Sequence, residues 1–325
     1  MTEKETYFIK IWDEQTPEKF GIGEAAIFRG LSADDTPEYE NKVKDVCRAI
    51  EHSADMDLDR WSSIRFGVET ALADYACGGR RMLFDTAFSR GNCGVRINGL
   101  VWMGSKDEMK LRIAEKLSMG VKCMKLKIGG IDFGSELSLI SEIRKNFPSD
   151  VLELRLDANG AFSPEEALEK LETLSRYGIH SVEQPVSPGQ WEQMARICAE
   201  SPIPVALDEE LIGVESENAK RELLDTVKPQ YIILKPSLCG GFSGADRWIA
   251  LARERGAGWW ATSALESDIG LNAIAQWVTQ YQLDMPQGLG TGMLYENNIP
   301  SPLRCKGDML WLEKEGKWDL SVLDI

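Results

Sequence analysis

The sequence predicts an α/β fold, a (β/α)8-type barrel with an N-terminal α+β capping domain. Residues 1–90 read as the cap, 91–300 as a modified barrel, and 301–325 as a C-terminal segment returning to the cap. Three observations carry this. From about residue 93, short apolar runs alternate with amphipathic helical stretches, which implies a parallel sheet. Eight such units fit into about 200 residues, the size of a compact barrel. A doubly wound sheet, the competing arrangement, wants a glycine-rich phosphate turn early in the chain, and none is present.

The cap comes first. Tyr7 to Trp12 reads as a strand. Gly21-Ile22-Gly23-Glu24 reads as a glycine-rich turn opening a mobile stretch to Asp35, which is either a lid over the barrel mouth or a surface loop. Pro37 to His52 and Ser63 to Cys77 read as helices, the second ended by Gly78-Gly79.

The barrel follows. Strands are expected at Val95 to Asn98, Cys123 to Ile128, Val151 to Asp157, Ser181 to Glu183, Val205 to Leu207, Tyr231 to Lys235, Trp259 to Ser263 and Gln287 to Leu289. Helices lie between them. Ser105 and Glu108 are placed as a capping box, with Gly120 as the stop. Ser163-Pro164-Glu165-Glu166 supplies an N-cap, a proline at the first helical position and a capping-box glutamate.

Composition narrows the function. With 37 Lys and Arg against 52 Asp and Glu, the formal charge is −15, which argues against nucleic acid or an anionic membrane as partner. Two histidines, His52 and His180, cannot build a His-rich zinc site and read as structural. Seven cysteines form no C-x-x-C pair, and nothing beside Cys123 or Cys239 would activate a thiolate. The N-terminus has no apolar signal-like run and no stretch is long enough to span a bilayer, so a cytoplasmic protein is expected.

Ionisable residues recur where barrel strands end. Lys127, Asp157, Glu183, Asp208 and Lys235 are spaced 30, 26, 25 and 27 residues apart, one βα unit each. Strand C-termini converge on one mouth, where barrel active sites lie. Three carboxylates meeting there repel one another unless a cation joins them. A hard divalent ion suits, Mg2+ first, with Mn2+ as an alternative. Lys125 and Lys127 share a strand face. Adjacent cations depress each other's pKa, which prepares one to serve as a general base. Lys235, four strands on, lies across an eight-stranded barrel. The arrangement suggests a small-molecule carboxylate as substrate: a metal clamps it, a lysine takes its α-proton, and the ion offsets the enediolate's charge. Arg155, two residues before Asp157, either reaches a substrate carboxylate or pairs with Asp157 or Glu183 inside the barrel.

Together, Lys125-Leu126-Lys127, Asp157-Ala158-Asn159, Glu183-Gln184-Pro185, Asp208-Glu209 and Lys235-Pro236 resemble the enolase superfamily, in its muconate-lactonizing-enzyme-like branch. The resemblance covers nearly the whole chain. It implies Asp157, Glu183 and Asp208 as metal ligands, with Asn159 as a supporting group behind them. It implies Lys127 as base and returning acid, Lys235 as the cation on the opposite face, and Lys125 on a substrate carboxylate oxygen. Ser263 and the turn from Gly288 to Gly292 would shape the pocket. That turn is otherwise a phosphate nest or a plain tight turn. Two reaction classes stay open: a one-base elimination of water and a two-base epimerisation. The oligomeric state is left open.

Overall fold

The computed structural model describes residues 3–281 and 284–323. The chain opens with an antiparallel pair, β1 (Tyr7–Asp13) and β2 (Thr16–Ala25), covered by α1 (Tyr39–Glu51) and α2 (Ser62–Ala76). Ile9, Ile11, Val43, Val46, Ile64 and Val68 form the core between them.

Here the structure corrects the sequence reading. Gly21 to Glu24 is not a turn but the inner half of β2. The glycines are there for close approach: a Cβ on Gly23 would lie 1.8 Å from the Gly67 carbonyl oxygen, and one on Gly21 would lie 2.0 Å from that of Ala71. The strand packs backbone to backbone on α2, and a glycine pair mimics a turn signal. The stretch after it is a pinned turn. Arg29 pairs with Glu5 and Asp35 at 2.7 Å each, and Asp34 accepts the Ser63 N–H at 2.9 Å.

The barrel strands are β4 (Gly99–Val101), β5 (Cys123–Lys127), β6 (Glu153–Asp157), β7 (Ser181–Glu183), β8 (Val205–Leu207), β9 (Tyr231–Leu234) and β10 (Gly258–Ala261), all parallel and in chain order. Between them lie α3 (Lys106–Ser118), α4 (Phe133–Asn146), α5 (Pro164–Ser175), α6 (Trp191–Glu200), α7 (Glu217–Val227) and α8 (Gly241–Glu254). After β10 comes α9 (Asp268–Val278). The expected eighth strand is reduced to two parallel bridges, Ile97 to Gln287 and Thr262 to Gly288, which join the two edges.

The expected first strand is also shifted. Its first half, β3 (Val95–Arg96), pairs antiparallel with β12 (Met309–Leu312), whose own partner is β11 (Leu303–Lys306). The barrel strand begins only at Gly99, where the missing side chain admits Val121. One run of sequence serves two sheets, so its apolar pattern does not mark the boundary. Beyond β12, Trp318, Leu320 and Leu323 pack with Phe8 and Ile22 of the cap. We propose the divisions at residues 90 and 300 on this packing.

Candidate active site

Strand register sets the depth of the ionisable groups. Lys127 lies opposite Asp157, and Asp157 opposite Glu183. Asp208 and Lys235 directly follow β8 and β9. Asp157, Glu183 and Asp208 are at most 2% exposed. The Lys125 ammonium bridges two of them, 2.8 Å from Asp157 Oδ2 and 2.7 Å from Glu183 Oε2. Lys127 Nζ donates to Asp157 Oδ2 at 2.9 Å and to Asn159 Oδ1, and lies over the Trp102 ring. Lys235 pairs with Asp208 at the end of the neighbouring strand.

The electrostatics follow from this crowding. Burial, and then the neighbouring Asp157 charge, push Glu183 well above the carboxylate range. Burial favours a neutral Lys125, but Asp157 and Glu183 outweigh it and hold the ammonium charged. The mutual lowering expected of two adjacent lysines is therefore overridden at Lys125. Burial opposes charge on Lys235 too, and Asp208 and Glu209 overcome it.

As placed, no three His, Cys, Asp or Glu side chains among the described residues converge closely enough to hold a metal ion. The Lys125 ammonium stands between Asp157 and Glu183, and Lys235 is drawn onto Asp208. The donor set nevertheless fits a hard divalent cation, because three buried carboxylates come from adjacent strands and one ammonium already stands between two of them as a stand-in cation.

Above these groups lies a cavity of about 410 Å3. Lys125, Lys127, Asp157, Asn159 and Lys235 reach it, and so do Ser263 and Gly288. Phe28 and Leu31 of the cap close its rim, so the pinned turn after β2 overlies the mouth. Ser263 contributes its position rather than a free hydroxyl, since Oγ donates to Glu266 at 2.5 Å and accepts two backbone N–H groups. Gly288 leaves room for Thr262, whose Oγ1 would sit 2.1 Å from a Cβ there.

Arg155 is not brought to the cavity. Its Nε donates to Glu153 at 2.6 Å, Nη1 donates to the Pro286 carbonyl at 2.9 Å, and its guanidinium stacks on Trp260. It ties β6 to the start of the eighth-strand segment. Sharing a face with Asp157 says nothing about depth, and a residue two positions earlier lies a full step lower in the barrel. Neither offered pairing, with Asp157 or with Glu183, is made.

Gln184 and Glu209 stand in recognisable motifs but received no role from sequence. Gln184, fully buried, donates to Glu210 at 3.0 Å and accepts the N–H groups of Asp208 and Glu210, so it sets the path after β8. Glu209 accepts from Asn159 Nδ2 at 2.8 Å. Asn159, Gln184 and Leu265, which follow barrel strands at the mouth, have φ between +39° and +62° without being glycine.

This barrel and its converging lysines and carboxylates define a class. Residues 108–314 match the family described as enolase C-terminal domain-like, and the chain belongs to that family. It is 50% identical over 276 residues to the o-succinylbenzoate synthase of Desulfotalea psychrophila, covering 85% of this chain and 75% of that one. The crystal structure of MenC from that organism superposes with a TM-score of 0.86 at 42% identity, over 95% of this chain and 94% of the other. The L-Ala-D/L-Glu epimerase of Bacillus subtilis is more distant, 30% identical over 59% of this chain and 53% of its own.

Proposed function

We propose that this chain is an o-succinylbenzoate synthase, a hydro-lyase of menaquinone biosynthesis acting in the cytoplasm. It would convert 2-succinyl-6-hydroxy-2,4-cyclohexadiene-1-carboxylate to 2-succinylbenzoate and water. The observation that carries the chemistry is the pair Lys127 and Lys235 facing each other across one cavity, with buried carboxylates between them. The half-identical synthase supports the substrate. No helix among the described residues is long and apolar enough to cross a membrane.

In this reading Asp157, Glu183 and Asp208 hold Mg2+, or Mn2+ as an alternative. The ion supplies positive charge against the enediolate oxygens when bound. Lys125 binds a carboxylate oxygen of the substrate. Unprotonated Lys127 takes the α-proton, and the C–H electron pair moves into the carboxylate to give the enediolate. The same lysine, now an ammonium, protonates the departing hydroxyl on the same face. The C–O bond breaks, the ring becomes aromatic, water leaves and Lys127 is neutral again. Lys235 stays protonated on the opposite face and stabilises the enediolate. Asn159 positions Lys127 through Oδ1 and Asp157 through its own N–H, 3.1 Å away.

The alternative is a dipeptide epimerase or N-succinylamino-acid racemase, in which both lysines exchange protons with the α-carbon. Such dipeptides carry an ammonium group that needs a partner. Among the described residues the carboxylates lining the cavity are Asp157, held by Lys125 and Lys127, and Glu209, whose Oε1 accepts from Asn159 while Oε2 has no partner. The opposite wall carries no carboxylate, and the half-identical synthase favours elimination over epimerisation.

The test is loss of diene absorbance by purified protein with Mg2+, with Lys127→Ala as control. Metal-dependent turnover that disappears in the variant is expected. A folded, Mg2+-supplied protein with no turnover would sink the reading. Exchange of the α-proton of dipeptides or N-succinylamino acids in D2O would then establish the isomerase.

A further inference from the structure

The cavity wall opposite the carboxylates carries two polar groups that nothing in the protein pairs. Thr291 is 5% exposed, lines the cavity, and its Oγ1 has no hydrogen-bond partner. Trp102 Nε1 is buried at the same cavity and also lacks an acceptor. The other hydroxyls on this wall are spent, Ser263 on Glu266 and Thr262 on the Gly288 carbonyl. A buried donor without a partner is costly, so two on one wall point to a ligand that supplies the acceptor.

Topology puts the two groups together. Trp102 directly follows β4, Thr291 follows the eighth-strand segment, and the Ile97–Gln287 bridge makes those elements neighbours. The carboxylates lie on β6, β7 and after β8, on the far side of the barrel. The succinyl chain leaves the ring beside the carboxylate, and the cavity that holds Lys125 extends past Leu100 and Leu265 to Trp102 and Thr291. The backbone that carries the indole is fixed by the protein itself: Arg112 Nη1 donates to the carbonyls of Trp102 and Met103 at 3.0 and 2.7 Å.

We propose that Trp102 Nε1 and Thr291 Oγ1 together bind the terminal carboxylate of the substrate's succinyl chain and so read its length and charge. This rests on the synthase reading. Each donates one hydrogen bond to an anion in a water-poor pocket, where charge-assisted bonds are strongest. The apolar residues between carry the chain's methylenes.

The experiment is calorimetric titration of 2-succinylbenzoate and of 2-acetylbenzoate, which keeps the ring carboxylate and ketone but lacks the terminal carboxylate. It compares wild type with Trp102→Phe, which removes the indole N–H but keeps an aromatic ring, and with the isosteric Thr291→Val, and wild-type turnover is measured alongside. Each variant should weaken 2-succinylbenzoate by about fivefold to tenfold and leave 2-acetylbenzoate unchanged. Unchanged affinity for 2-succinylbenzoate in both variants would overturn the proposal. So would an equal loss for both ligands, or a wild type that does not prefer the succinyl compound. Tail-dependent loss beside a wild type without turnover would keep the subsite and discard the synthase.

Discussion

Lys125 shows what a single residue in this barrel must reconcile. The residue is 8% exposed and its ammonium would be costly unpaired, yet it touches two carboxylates that are themselves buried. A third carboxylate, Asp208, holds Lys235. A divalent cation at these oxygens would release the lysines toward substrate. Chelation of divalent ions should therefore abolish turnover, and added Mg2+ should restore it and raise the melting temperature. Asp208→Asn should lower kcat/KM by more than about a hundredfold, near 2.7 kcal/mol of barrier, and should lose the Mg2+-dependent rise in melting temperature. Full activity in chelator would reject the metal outright. The five ionisable positions were legible because one βα unit separates each from the next. Arg155 was misread because a shared face carries no depth. Trp102 left no signal, and Thr291 was expected only as part of the pocket-shaping turn from Gly288 to Gly292, since a hydroxyl or indole declares itself only when its neighbours are seen to be spent.

The helices were legible at the scale of the element wherever their ends carry local chemistry. Ser105 caps α3, accepting the Glu108 N–H, and Glu108 returns a bond from the Ser105 N–H at 2.7 Å. Asp132 caps α4 and Ser163 caps α5, with Pro164 at its first turn. Such signals need only four residues of sequence. Ser105→Ala should cost about 1 kcal/mol at neutral pH in urea unfolding. The Ser105 hydroxyl and N–H hold Glu108 below its ordinary 4.5, so the box contributes above that pH and is lost as pH falls through the lowered value. The difference between variant and wild type should therefore shrink in acid, leaving the part due to the Glu108 N–H bond to Ser105 Oγ, and a difference that grew as pH fell would refute the box's role. The strand β2 was not legible, because Gly21 and Gly23 answer to a helix more than 40 residues downstream. The eighth strand was only partly so: Gln287 and Gly288 make single bridges on each side, and Arg155 from β6 supplies an added tie at Pro286.

Across the whole molecule, cap and barrel are joined by buried polar contacts between residues far apart in sequence, which no local pattern could announce. Glu24 at the end of β2 accepts the N–H groups of Ser267 and Gly270, at 2.8 and 2.9 Å, where α9 begins. Glu69 on α2 does the same for Phe242 on α8. Arg81 pairs with Asp74 at 2.7 Å, both fully or nearly buried, and its carbonyl accepts from Asn272 and Gln276 of α9. Gln276 closes the set, since Oε1 accepts the N–H groups of Leu83 and Phe84, at 2.8 and 3.3 Å, while Nε2 donates to Arg81. Leucine at this position keeps the volume but leaves the Leu83 N–H without its acceptor and the Arg81 carbonyl with one donor fewer. Gln276→Leu should cost about 2–4 kcal/mol. Because the contacts bind both parts, the cost should fall on both. Hydrogen exchange under urea should show the β1–β2 amides and the β5–β6 amides opening at one midpoint in the wild type, and at one lower midpoint in the variant. If the cap amides moved alone, cap and barrel would be separate folding units. The rim that Phe28 and Leu31 form over the cavity would then be held by the local contacts of the cap rather than by the barrel.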